Sequence, residues 1–222
     1  MSATLRYNQL APIYDVGIVG DLFYRAARRE AIDRLNLTLG SRVMVLFCGT
    51  GFDFGLIIES IGETGMIYAV DGAAGMLKRA QKRSRRLELS NDQIKFVQAD
   101  FSKSDDVAKL CEIIREVRPD RLLISMGMNC MAEWKPFFSY VFEALEIGTR
   151  VSMFDLYTRK LNVRARLLNG VGAGDCRRKI WEELESRSSD FSFHRFKSEG
   201  LLGVPLFTAS GSKPAAASEL KP

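Results

Sequence analysis

Short apolar runs recur along this chain at near-regular intervals, separated by longer stretches in which apolar residues return every three or four positions. The runs Val43–Phe47, Met66–Val70, Ile94–Gln98, Arg121–Ser125 and Arg150–Phe154 have the length of strands. Between them, Phe52–Ile61, Ala73–Leu87, Asp105–Val117 and Lys135–Leu145 carry the helical period. Alternation of this kind predicts a parallel sheet with crossover helices. Met44-Val45-Leu46-Phe47 shows no polar alternation, as a strand covered on both faces should. Gly40, Gly65 and Gly148 each stand just before a strand, where turns want a residue that tolerates positive φ.

The two ends differ from this middle. Residues 1–40 predict a helical lead-in, with apolar residues at roughly helical spacing over Leu22–Leu35. After Phe154 come a basic, Gly-containing stretch (Arg159–Gly174) and a predicted helix over Asp175–Arg187. Phe191–Phe196 then alternates with period two, and with Val204–Ala209 predicts an antiparallel strand pair joined through Gly200 and Gly203. Ser210–Pro222 is small, polar and Ala-rich, as a frayed tail would be. The expected organisation is therefore a helical N-terminal segment (1–40), one α/β domain (41–209) and a flexible tail (210–222).

Composition removes some classes. With 222 residues, 46% hydrophobic and 27% charged, the chain is neither disordered, collagen-like nor a disulfide miniprotein. A net charge of +5 permits an anionic partner without requiring one. Cys48, Cys111, Cys130 and Cys176 lie far apart and there is a single His, so no structural metal site and no disulfide framework are expected. The first eight residues contain no apolar signal region, and no stretch reaches the roughly 18 apolar residues of a membrane span. The expected setting is soluble and cytoplasmic.

Candidate chemistry concentrates at strand ends. Cys48-Gly49-Thr50-Gly51 lies between the first strand and a helix, where two glycines let backbone approach a ligand and the helix start offers free N–H groups. Asp71 closes the second strand, a place from which a carboxylate accepts hydrogen bonds from ribose hydroxyls. Asp100 closes the third and can accept from an exocyclic adenine amine. A dinucleotide G-x-G-x-x-G fails at Phe54, and no Gly-Lys-Ser/Thr follows as a phosphate-binding loop would need. A Gly turn, a ribose acceptor and a base acceptor on three successive strands point to S-adenosylmethionine.

On these residues the chain resembles class I S-adenosylmethionine-dependent methyltransferases, close to the ubiquinone/menaquinone C-methyltransferase type. Tyr7-Asn8-Gln9-Leu10-Ala11-Pro12-Ile13-Tyr14-Asp15 resembles that family's N-terminal lid segment. Gly65–Asp71 with Met76-Leu77, Ala99-Asp100, and Ala144–Val151 resemble its motifs at strands two, three and five. The resemblance implies a Rossmann-like seven-stranded α/β sheet of order 3-2-1-4-5-7-6 with helices on both faces. It also implies a cofactor site formed by Tyr14, Phe47, Cys48, Gly49, Gly51, Asp53, Asp71, Gly72, Met76, Asp100, Phe101 and Met126. The acceptor would lie over strands four and five, near Met126, Asn129, Cys130, Met131, Trp134, Asp155 and Tyr157. In-line transfer of a sulfonium methyl can run mainly on proximity and orientation, so a dedicated general base is optional.

Two departures stand out. The family's first motif reads acid-x-Gly-x-Gly-x-Gly, and here Val45 takes the acid's place and Phe47 that of the first Gly. Asp53 is a candidate stand-in for the acid, and the Phe47 ring is expected to turn into the sheet's apolar layer by strand alternation. Lys78, Arg79, Lys82, Arg83, Arg85 and Arg86 crowd six cations into nine residues, and a second basic cluster (Arg159, Lys160, Arg164, Arg166, Arg177, Arg178, Lys179) follows strand five. The first suits a solvated helix face, or a patch for anionic membrane or nucleic acid; the second, which in this fold borders the substrate entrance, suits an anionic or lipid-headgroup substrate. The expected activity is methylation of a small-molecule or lipid-like acceptor, quinone-like or bearing an amine headgroup. A degenerate binding protein on the same fold and a nucleic-acid methyltransferase are the alternatives.

Overall fold

The computed structural model describes residues 4–5, 7–9, 24–160, 163–172, 174–196 and 204–215. Its elements are α1 (Arg25–Asp33), β1 (Arg42–Leu46), α2 (Phe54–Ile61), β2 (Met66–Asp71), α3 (Ala74–Arg86), β3 (Ile94–Gln98), α4 (Ser104–Val117) and β4 (Arg121–Ser125). Then follow α5 (Trp134–Ala144), β5 (Arg150–Leu156), α6 (Val163–Gly172), α7 (Glu182–Arg187), β6 (Ser189–Arg195) and β7 (Leu206–Ser212). The strands form one seven-stranded sheet of order β3-β2-β1-β4-β5-β7-β6. β1 to β5 pair in parallel, and β7 runs antiparallel between β5 and β6.

Period-two alternation inside the buried strands builds two apolar layers. In β1, Val43 and Val45 face the layer shared with Ala27, Ala31, Phe54, Ile57 and Ala80 of α1, α2 and α3. Met44 and Leu46 face the opposite layer, with Leu110, Ile114, Phe138 and Val141 of α4 and α5. The chain lays down β1, β2 and β3 in one direction, then returns to the other side of β1 for β4. That reversal opens a crevice between the carboxyl ends of β1 and β4, the place where open α/β sheets take ligands.

Two sequence expectations need correction here. The helix expected over Asp175–Arg187 is confined to Glu182–Arg187. Upstream, the Asp175 carboxylate accepts from the Arg177 amide and guanidinium, and Arg178 donates to the carbonyl oxygens of Asn129 and Met131, which holds the segment as turns. The expected tail starts too early, because Ser210, Gly211 and Ser212 are part of β7. Their small side chains fit an interior strand, and a Cβ on Gly211 would run into Ser188. Residues 216–222 of that tail, Tyr14, and the turn at Gly200 and Gly203 lie outside the described residues.

Candidate functional site

The loop after β1 is shaped by left-handed backbone. Phe47 (φ 56°), Gly49 (φ 54°) and Gly51 (φ 82°) all lie there. Gly51 is required, since a Cβ would collide with the Phe54 ring that caps the core of α2. Gly49 is half-buried, and among the described residues a Cβ there would meet nothing nearer than the Phe47 carbonyl oxygen at 4.0 Å. A ligand can therefore lie against its backbone.

Asp71, at the end of β2, accepts from the Gly49 amide at 2.9 Å and the Ala73 amide at 2.8 Å. Burial pushes its carboxyl above the ordinary range, against the pull of those N–H groups. Each oxygen keeps a second lone pair for a hydroxyl donor. At the end of β3, Asp100 Oδ1 accepts from the Ser102 hydroxyl (2.7 Å), the Ser102 amide and the Thr4 hydroxyl (both 3.1 Å). Partial burial acts to raise Asp100, but the hydrogen bonds from Ser102 and Thr4 outweigh it and hold the carboxyl low. Among the described residues its Oδ2 takes no hydrogen bond. Gly72 lies between these acids, where a Cβ would come within 3.2 Å of the Ala99 carbonyl oxygen.

The remaining expected residues divide. Met76 and Ala73 pack together under Tyr7. Phe101, next to Asp100, meets Phe47 at 4.5 Å between tilted rings, and both rings meet Phe137. Cys48 is buried among the α1–α3 layer, and burial raises its thiol well above the ordinary range, which suits packing and not nucleophilic chemistry. Met126 (φ 48°) is half-buried at the opposite lip, after β4.

Asp53 is corrected as a cofactor contact. Its carboxylate is buried and bonded at 2.7 Å to Arg28 of α1, on the side of the loop facing the helices. Phe47 does turn into an apolar layer, but strand alternation is not the reason. β1 ends at Leu46, and the left-handed Phe47 backbone swings the ring across to Gly127, where a Cβ would meet it at 2.6 Å.

Among the residues expected near the acceptor, Asp155 is buried at the end of β5 and accepts from the Leu156 (2.7 Å), Gly127 (3.1 Å) and Asn129 (3.4 Å) amides. Burial raises its carboxyl against those bonds. Asn129 donates to the Leu156 carbonyl oxygen at 2.7 Å, while its own Oδ1 is buried with no partner among the described residues. Cys130 lies beside Tyr7 (Oη···Sγ 3.5 Å), and burial pushes its thiol up to about 11. Tyr157 and Trp181 meet edge to face at 4.6 Å. Asp175 and Glu182 pair with Arg177 and Lys179, which takes two cations of the second basic cluster out of play. His194 of β6 bonds Glu30 of α1 at 2.7 Å and is remote in role from the crevice.

Sequence reasoning missed Thr4, which donates to Asp100, and placed Asn8 in the lid segment without seeing that its side chain accepts from the Gly75 amide (2.8 Å) at the start of α3. It also missed Arg28, whose partner Asp53 is 25 positions away. No local pattern marks such pairings.

The residues fit S-adenosylmethionine on structural grounds. They offer an open glycine backbone between two strand ends, with carboxylates for ribose hydroxyls (Asp71) and an adenine amine (Asp100) one strand apart. Comparison with known proteins agrees. The methyltransferase-domain family matches residues 37–170, more than half of the chain. Aklanonic acid methyltransferase DauC from Streptomyces sp. (strain C5) is 27% identical over 97 residues, covering 44% of this chain and 43% of that protein. The 23S rRNA (uracil(1939)-C(5))-methyltransferase RlmD from Psychrobacter arcticus is 37% identical over 70 residues, covering 31% of this chain and 14% of that protein. The matches thus span less than half the length of both relatives. A SAM-dependent methyltransferase from Aquifex aeolicus superposes with a TM-score of 0.62 at 13% identity, covering 93% of this chain and 98% of that one. The chain belongs to the methyltransferase-domain family, as a class I S-adenosylmethionine-dependent methyltransferase.

Proposed function

We propose that the protein methylates a small-molecule or lipid-like acceptor, quinone-like or carrying an amine headgroup. The observation that carries this reading is the reversal between β1 and β4, where Gly49, Asp71 and Asp100 stand at successive strand ends and the Phe47 ring packs with Phe101 and Phe137 toward Gly127. Bound S-adenosylmethionine would supply an electrophilic methyl on a leaving group that needs no protonation. Asp71 would hold the ribose hydroxyls and Asp100 the adenine amine. Gly49, its amide tied to Asp71, would let the methionine portion lie against its backbone. The apolar ring cluster excludes water and suits a planar or acyl-bearing acceptor better than a polyanion. DauC, by its name a methyltransferase of aklanonic acid, lends weight to a small organic acceptor.

The exposed cations of α3 add a place of action. Lys78, Lys82, Arg85 and Arg86 line the outer face of a helix without one acid, and none of the four forms an ion pair among the described residues. Such a face suits peripheral contact with an anionic membrane in a cytoplasmic protein, and so access to a lipid-like acceptor. No described helix is long and apolar enough to cross a membrane.

The test is methyl transfer from labelled S-adenosylmethionine to a hydroquinone, to vesicles containing an amine-headgroup lipid, and to total RNA. Label in either of the first two is the expected result. Label in RNA alone would replace this reading with a nucleic-acid one, in line with the name of the RlmD relative. A second reading, a binding protein that does not catalyse, is favoured by the buried Val45 and by the ring at position 47. It predicts cofactor binding or none, with no label in any acceptor.

A further inference from the structure

The glycine loop is gripped from two sides by arginines of different helices. Arg28 of α1 is buried, bonds the Asp53 carboxylate at 2.7 Å, and places its guanidinium 5.3 Å from the Phe52 ring and 5.8 Å from Phe154. Arg83 of α3 donates to the Thr50 carbonyl oxygen at 2.9 Å and lies 3.8 Å over the same Phe52 ring. Thr50, Phe52 and Asp53 are thus each tied to a cation, and Phe52 to both. Asp53 stands at the N-cap position of α2 but makes no side-chain cap bond, so its carboxylate serves Arg28 alone among the described residues. Below the loop, β1 offers only apolar residues, Val45 and Leu46, both fully buried.

We propose that Arg28 and Arg83, with Phe52 between them, are positioning residues that hold Gly49–Asp53 in the shape that receives S-adenosylmethionine. The clamp acts through the loop: the arginines engage Asp53, Thr50 and Phe52 on its helix side, while the Gly49 amide is held toward the crevice by Asp71. A loop with three left-handed residues has many competing shapes in water, and ties at both ends select one before the ligand arrives. The clamp also makes α1 part of the site: it couples the packing of α1 on the sheet to the order of a loop that α1 does not adjoin in sequence.

The proposal rests on the cofactor reading, so the experiment reads the loop independently of the ligand. Three proteins are compared: wild type, Arg83→Met, and the double variant Arg28→Met/Asp53→Leu, which replaces the buried pair with apolar side chains and leaves no unpaired charge. Each is measured by amide exchange over residues 49–54 without ligand, by calorimetric titration with S-adenosylhomocysteine, and by melting temperature. Exchange about tenfold faster and Kd about tenfold weaker in both variants is expected, with the Arg83→Met melting temperature within about 2 °C of wild type. Unchanged exchange and Kd in both would overturn the clamp, as would a loss of binding that only tracks a loss of melting temperature. If no protein bound the ligand yet exchange rose in both variants, the clamp would stand and the cofactor reading would fall.

Discussion

Phe47 concentrates the tension in this site. It occupies a left-handed conformation (φ 56°) that disfavours any side chain by roughly 1–2 kcal/mol, and holds it because the ring packs at 4.5 Å on Phe101 and against the bare backbone of Gly127. Phe47→Gly would remove the strain and open the crevice, but would lose the ring packing. The net expectation is a stability loss of about 1–2 kcal/mol, a melting temperature lower by about 4 °C, and tighter S-adenosylhomocysteine binding. Calorimetry and a thermal melt on this variant check it, and weaker binding would make the ring itself a ligand contact. The same change with Gly127→Ala added should not recover stability, because at φ 153° a methyl group at position 127 is strained even with the ring site vacated.

At the scale of elements, the parallel half of the sheet was readable from the sequence nearly residue by residue. β3 and β4 match their expected spans: β4 is a nearly continuous buried run, and β3, half-exposed, is a short run of strand formers bounded by turns. The seven-strand order follows the resemblance that the strand-end motifs carried. Misses fell where tertiary contact overrides local pattern. The segment before α7 has helical composition, yet Asp175 and Arg178 spend their bonding capacity on turns and on the loop after β4. Ser210–Ser212 look like tail in isolation and are strand because β5 and β6 supply partners on both sides. Of the candidate site, Asp71, Asp100 and the glycines were visible as spacing. The Arg28–Asp53 pair was not, since a buried salt bridge between a lead-in helix and a loop leaves no periodic trace.

At the scale of the whole molecule, charge and chemistry are set on different faces. Asp71 and Asp100 stand at strand ends beside the Phe47, Phe101 and Phe137 rings, while the cations of α3 line the outside of one helical layer. Four exposed cations at about 1 kcal/mol each near an anionic bilayer give a weak, salt-sensitive attachment. Flotation with vesicles containing phosphatidylserine should therefore retain the protein at low salt and release it near 0.5 M, where the Debye length shrinks to roughly 4 Å. Lys82→Glu/Arg86→Glu should abolish retention without changing the melting temperature by more than about 2 °C, and retention unaffected by that change would exclude α3 as the contact. All of this presupposes that the crevice takes S-adenosylmethionine, and one calorimetric titration of the wild-type protein and Asp71→Ala with S-adenosylhomocysteine tests that directly. The account predicts micromolar binding, about −8 kcal/mol, weakened at least roughly tenfold by Asp71→Ala through loss of charge-assisted bonds. No heat at millimolar ligand, or equal affinity in the two proteins, would contradict it.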